Sequence, residues 1–326
     1  MSVAVAALLF LGGLALTVVS SIVLARELDR IGERLGFSEA LLGIVTAIGA
    51  DAPEISSAVA ALVTGHEKTG VGVVVGSNVF NIAALLGLSA IIAGRVRLHA
   101  HGLALNGVVA LAVALLGALL AIDVLPAAAA IVLTLVVVAP YVALSSLHAR
   151  RRERLPAFLR EAVAEEQRDA RRDEHAPRAT SVDVLAVMPA VAAVIGGAYG
   201  MVASAQSLGD RWDVSDVLIG TVVLAGLTGI PNVLAAVRLA LHGRGAACVS
   251  ESLNSNNANI LIGLCVPALV LGLGSPSGVE TFAAWAMVVM TALGVALGFG
   301  GGLTRRGGAA IVALYAAFVV VLALSG

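Results

Sequence analysis

Of the 326 residues, 59% are hydrophobic and only 13% are charged, against roughly 45–50% and about 25% in a soluble domain. That excess must face lipid, and at roughly 20 apolar residues per membrane-crossing helix the chain has room for about ten spans. A formal net charge of -1 excludes a basic nucleic-acid binder, and two cysteines in apolar surroundings, Cys248 and Cys265, exclude a disulfide framework or a zinc site.

Uninterrupted apolar stretches place the spans near 2–24, 40–64, 70–93, 101–121, 124–147, 183–207, 215–241, 248–272, 281–300 and 308–325. The expected fold is therefore all-α and polytopic, with ten transmembrane helices. No positive charge precedes the first span, whereas Arg26, Arg30 and Arg34 follow it. A cleavable signal peptide has the reverse order, so a retained helix with its N-terminus outside is expected. Threading the ten spans from there puts 18 of the 20 Lys and Arg residues on one side and leaves only Lys68 and Arg211 on the other. Basic residues collect on the cytoplasmic side. Both termini are thus expected outside a cell membrane, with the central loop in the cytoplasm.

That loop, His148–Arg178, carries nine arginines and seven acids. It reads as a solvated, partly helical linker over 148–182 between a first membrane unit, 1–147, and a second, 183–326. Its interleaved acids weaken a role in clamping anionic lipid.

The second unit echoes the first at one constant offset, without a gap. Pro53 falls on Pro231, Gly65 on Gly243, and the run Gly76-Ser77-Asn78-Val79-Phe80-Asn81-Ile82 on Asn254-Ser255-Asn256-Asn257-Ala258-Asn259-Ile260. Each copy is a pair of spans, the second and third, then the seventh and eighth. An odd number of spans separates them, so the copies cross the membrane in opposite directions, as two inverted-topology five-helix repeats. Transporters use this architecture and bind their cargo near the midplane between the copies.

Polar residues concentrate in those four spans. Gly49-Ala50-Asp51-Ala52-Pro53-Glu54 interrupts the second. Pro53 lacks a backbone donor and clashes with the preceding turn, so the helix is expected to break there. Backbone broken at membrane depth lines a cavity or lies buried in protein. Asp51 and Glu54, three apart, share one helix face. A charge at the bilayer centre costs at least ~2.5–3.5 kcal/mol on insertion scales, and no basic residue lies in a span core to pair with these two. A bound cation is the simplest compensation. Ser77 and Asn81 share a face of the third span, Thr228 and Asn232 flank Pro231 in the seventh, and Ser255 and Asn259 share a face of the eighth. Carboxylates, amide carbonyls and hydroxyls are the oxygen ligands of hard cations such as calcium. The absence of His and Cys from the set speaks against zinc or copper. Asn78 and Asn256, taken alone, are open to a second reading as interhelical packing residues.

At these residues the chain resembles the cation/calcium exchanger superfamily, which includes the sodium/calcium exchangers. That family carries two inverted repeats, each with G-(T/S)-S-x-P-E on one helix and G-S-N-x-x-(N/D) on the next. Gly49–Glu54 and Gly76–Asn81 match the first repeat closely, and Thr228–Asn232 with Ser255–Asn259 match the second more loosely. The departures are specific. Asn232 stands where the family usually has Glu, Asn259 where many members have Asp, and Asp51 where Ser is usual. The formal charge of the set stays near that needed for one divalent cation. Glu251, one turn before Ser255, is a further acid near the inner end of its helix.

The resemblance implies a secondary-active cation antiporter, not an enzyme, exchanging calcium for sodium or protons by alternating access and needing no cofactor. The metal ligands would be Asp51, Glu54, Ser77, Asn81, Thr228, Asn232, Ser255 and Asn259. It also casts the first and sixth spans as a sliding gate. Partners would be membrane lipid and small cations, with no nucleic acid, and the oligomeric state is open. Two other readings stand beside it: exchange of another ion, monovalent, proton-linked or magnesium, and a non-transporting membrane protein on the exchanger fold.

Overall fold

The computed structural model describes residues 1–34, 45, 47–147, 153, 155–170 and 181–325. The expected span at 40–64 and the linker at 148–182 therefore lie partly outside the described residues. Long runs of Ala, Leu and Val leave the backbone no water to bond, so the chain satisfies its own amides as helix. In order these are α1 (Val3–Arg34), α2 (Ala52–Val63), α3 (Glu67–Ala93), α4 (Ala100–Ala121), α5 (Ala127–Ser145), α6 (Ala157–Ala170), α7 (Ser181–Trp212), α8 (Asp216–Thr228), α9 (Ile230–Leu241), α10 (Gly245–Leu271), α11 (Gly278–Gly298) and α12 (Arg305–Ser325). A single two-residue antiparallel pairing, Arg95–Val96 with Leu303–Thr304, ties the loop after α3 to the loop before α12.

Eight of the described helices are long and apolar enough to cross a membrane, and α8 with α9, bent by 49°, makes a ninth if counted as one broken span. The seventh expected span is thus two helices. The protein is a multi-pass membrane protein. Helices α1, α5 and α12 present large apolar side chains outward, among them Leu8, Val136 and Leu324, surface that only lipid accommodates at this extent. Helix α3 is enclosed along most of its length. Its neighbours reach it closely because Gly76 and Gly220 lack side chains: a Cβ on Gly76 would enter the backbone of Thr221, and one on Gly220 the backbone of Thr69. Small residues permit such approaches between membrane helices. Helices α1 and α7 pack together along their length, crossing at Gly13, whose Cβ would lie 2.7 Å from the Gly197 carbonyl.

The same local geometry occurs twice, at Pro53 and at Pro231. Pro53 and Pro231 each sit in the first turn of a helix, the position that tolerates the missing amide hydrogen. Around Pro53 the Asp51 amide donates to the Ala47 carbonyl and the Ile55 amide to Asp51. Around Pro231 the Gly229 amide donates to Ala225 and the Val233 amide to Gly229. The turns that follow pivot on Gly65 at φ 82° and Gly243 at φ 71°, a conformation glycine adopts without Cβ strain. π-helical turns then widen α3 over Ile82–Leu88 and α10 over Asn259–Cys265.

Candidate functional site

The break before Pro53 sets Asp51 at the turn and Glu54 in the first turn of α2, both carboxylates buried at 1% exposure. Asn232, in the first turn of α9, meets them from far along the chain. Its amide nitrogen donates to Asp51 Oδ1 at 2.8 Å and to Glu54 Oε1 at 3.2 Å. The two hydrogens of one amide group are thus shared between two carboxylates. Ser255 Oγ on α10 donates to the same Asp51 Oδ1 at 2.7 Å. Asn81 Nδ2 on α3 donates to Ser255 Oγ at 3.1 Å and to Asn256 Oδ1 at 3.0 Å. Five of the eight residues singled out from sequence therefore form one connected cluster: Asp51, Glu54, Asn81, Asn232 and Ser255.

The other three are buried but not bonded into it. Thr228 donates its hydroxyl to Leu224 O at 2.8 Å in its own helix. Ser77 Oγ and both amide atoms of Asn259 have no hydrogen-bond partner. Asp51 Oδ2, Glu54 Oε2 and Asn81 Oδ1 are likewise unpartnered. Buried polar atoms are normally bonded, yet these oxygens, two at the Pro53 break and the others along α3 and α10, are left without a partner. Neither carboxylate is paired with a basic side chain among the described residues; ion pairs elsewhere include Arg30 with Glu27, His66 with Asp216 and His101 with Glu161.

Asn78 and Asn256 resolve toward packing. Asn78 Nδ2 donates to the Asn256 carbonyl at 3.3 Å, and Asn256 Nδ2 returns the bond to the Asn78 carbonyl at 3.1 Å. This reciprocal pair pins α3 to α10 where they cross, while Asn256 Oδ1 also orients Asn81. Sequence reading passed over two polar contacts. Gln206 on α7 donates to Thr69 on α3. Tyr141 on α5 donates to Asn106 Oδ1 on α4 at 2.8 Å and accepts from Asn254 on α10 at 3.0 Å. Asn106 and Tyr141 stood in the sequence as lone polar residues in apolar runs, and Asn254 as one of a polar run.

A cavity of about 250 Å³ approaches the cluster from the Arg26 end of α1, lined by Ser21, Arg26, Asp29, Ala50, Asn232 and Glu251 among others. Glu251 feels the Asp51 carboxylate and the Arg244 guanidinium electrostatically but is no member of the hydrogen-bonded cluster.

Eight helices long and apolar enough to cross a membrane among the described residues, and a buried acid and amide cluster where α2 and α9 begin at matching prolines, define a class: polytopic membrane proteins. The profile of the sodium/calcium exchanger protein family matches residues 5–148 and 183–324, and the chain belongs to that family. Over 82 residues, 25% of its length, it is 38% identical to CaxA of Alkalimonas amylolytica, of which this stretch covers 26%. Over 75 residues, 23% of the chain, it is 37% identical to human sodium/potassium/calcium exchanger 1, of which that covers 7%. The matched stretches thus span about a quarter or less of these relatives. Among solved structures, the sodium-calcium exchanger NCX_Mj superposes with a TM-score of 0.62 at 24% identity, covering 98% of this chain and 99% of that one. The H+/Ca2+ exchanger CAX superposes with a TM-score of 0.75 at 13% identity, covering 97% and 82%. At these identities the likeness establishes the fold.

Proposed function

We propose that this protein is a secondary-active cation antiporter that carries calcium against sodium or protons by alternating access. One observation carries the reading: Asp51 and Glu54 lie at 1% exposure without a basic partner among the described residues, each keeping one oxygen unbonded. Two charges so placed need a compensating cation, and the donors around them are all oxygens or amides, the set of a hard ion. Asp51, Glu54, Asn81 and Ser255 hold the cargo, and Ser77, Thr228, Asn232 and Asn259 complete the shell through side-chain oxygens.

The same reading takes the chain as ten spans in two inverted five-helix repeats, 1–147 and 183–326, joined by the linker 148–182. The matched breaks at Pro53 and Pro231, which hold the same place in the two copies, support it. Both termini lie outside the plasma membrane and the linker in the cytoplasm, a reading that the distribution of basic residues supports. Helices α1 and α7, packed on each other, are the sliding gate. The cargo binds without a cofactor and no covalent chemistry is performed.

Calcium uptake into vesicles containing the purified protein tests this. Uptake driven by an imposed sodium or proton gradient is expected, and the gradient that drives it names the counter-ion. Vesicles that take up no calcium under either gradient, with the protein correctly inserted, would overturn the proposal.

A further inference from the structure

The cavity at the Arg26 end of α1 stops short of the carboxylates. Asp51 and Glu54 do not line it and are 1% exposed. Among the described residues Asn232 alone both lines the cavity and hydrogen-bonds the carboxylates. At about 250 Å³ the space holds about eight waters at ~30 Å³ each, room for a hydrated cation. Helix α10 runs along the route: Glu251 faces the cavity, and Ser255, one turn deeper, bonds Asp51.

An amide is two-faced in a way a carboxylate is not. Its nitrogen donates and its oxygen accepts. With Nδ2 turned to Asp51 and Glu54, Asn232 offers two anions a partial positive charge and closes them off from the cavity. Half a turn about its terminal side-chain torsion exchanges nitrogen for oxygen at nearly the same place. Such amide torsions are soft and roughly two-fold.

We propose that Asn232 is a swinging plug between the cavity and the carboxylate pair: a change of rotamer about χ1 carries the whole amide aside and opens the pair to the cavity, and half a turn about the terminal torsion presents Oδ1 to the arriving cation. In the chain without cargo the amide nitrogen stabilises the two acids, and on loading the amide oxygen joins them as a ligand. A glutamate at this position would supply the oxygen but neither donor, so the substitution that distinguishes this chain from the family pattern supplies the plug. The role in loading rests on the proposed antiport; the role as a barrier is a property of the fold and is tested without transport.

The test is thiol labelling of the full-length protein purified in detergent, in calcium-free buffer, read peptide by peptide in a mass spectrometer. Ala50→Cys places a thiol on the cavity wall and Ser255→Cys places one behind Asn232. The native Cys248 and Cys265, both at 0% exposure, report on the integrity of the fold. Ala50→Cys is expected to label readily with or without the plug. Ser255→Cys is expected to label slowly beside Asn232 and about tenfold faster or more with Asn232→Ala, which removes both donors to charged acceptors. Equal labelling of Ser255→Cys with and without Asn232 would overturn the proposal. If Cys265 also becomes reactive in Asn232→Ala, the milder Asn232→Ser decides by the same readout. Loss of the fold in both variants makes Asn232 a fixed brace and equally sinks the plug. Absence of calcium flux in wild-type vesicles would remove the antiport reading and leave the labelling result standing.

Discussion

Gly76 opens the Gly-Ser-Asn run of α3, and the helix crossing explains why glycine stands there. A Cβ at this position would lie 2.5 Å from Thr221 Cα and 2.7 Å from its carbonyl carbon, where ordinary contact begins at 3.4 Å. These are backbone atoms of α8 and have no rotamer to yield. Gly76→Ala must therefore part α3 from α8 by about an ångström, and overpacking of this kind costs typically 1–3 kcal/mol. Gly226, on the same face of contact, is the control: a Cβ there meets only Phe80 Cε2, at 4.0 Å. Gly226→Ala gains helix propensity, roughly 0.5–1 kcal/mol. In a thermal melt of the purified protein the two alanines should move the midpoint in opposite directions, Gly76→Ala down by about 2–6 °C. Calcium uptake should fall with Gly76→Ala as well, because α3 carries Asn81 and α8 leads into Asn232. Coincident melts for the two variants would refute the close crossing.

An epitope inserted in 148–178 should be stained in permeabilised cells only; staining of intact cells would reverse the orientation. Asn232→Glu with Asn259→Asp adds two negative charges to a low-dielectric site and should raise divalent affinity or change the counter-ion, measured as calcium dependence of uptake. Unaltered affinity and selectivity would place the second unit's residues away from the cargo. Asn256→Leu removes the donor to Asn78 and the acceptor of Asn81. At about 0.6 kcal/mol for an average membrane hydrogen bond and about 1–3 kcal/mol for the stranded Asn81 donor, it should lower the melting midpoint clearly, and an unmoved midpoint counts against the reciprocal pairing.

How much of this was legible before the structure depends on how local the cause is. The proline breaks were readable because a missing amide hydrogen acts within one turn, and the constant offset of the repeat foretold that Asn78 and Asn256 occupy equivalent places. That the two bond each other across the crossing was not readable, since packing brings the copies together and no local rule orients an amide. The same limit explains Asn232. Sequence placed it among oxygen ligands, whereas its nitrogen faces two carboxylates far away in the chain, those of Asp51 and Glu54. Thr228 was grouped with the ligands by its place beside Pro231, yet its hydroxyl returns to Leu224 of its own turn, as hydroxyls in helices often do. Hydropathy saw one run over 215–241 because it averages across the 49° bend.

The central claim is that Asp51 and Glu54 hold the transported cation. Calcium flux should be compared in vesicles carrying equal amounts of wild type, Glu54→Gln, Asp51→Asn and, as a control outside the membrane helices, Glu161→Gln. Removing either buried charge leaves the fold in place, since it relieves desolvation, but takes half the negative charge from the cargo. Flux should fall at least about tenfold, the consequence of losing about 1.4 kcal/mol of binding, in both buried variants and stay at the wild-type level in Glu161→Gln. Wild-type flux in Glu54→Gln, with the protein inserted, would show that the cation binds elsewhere.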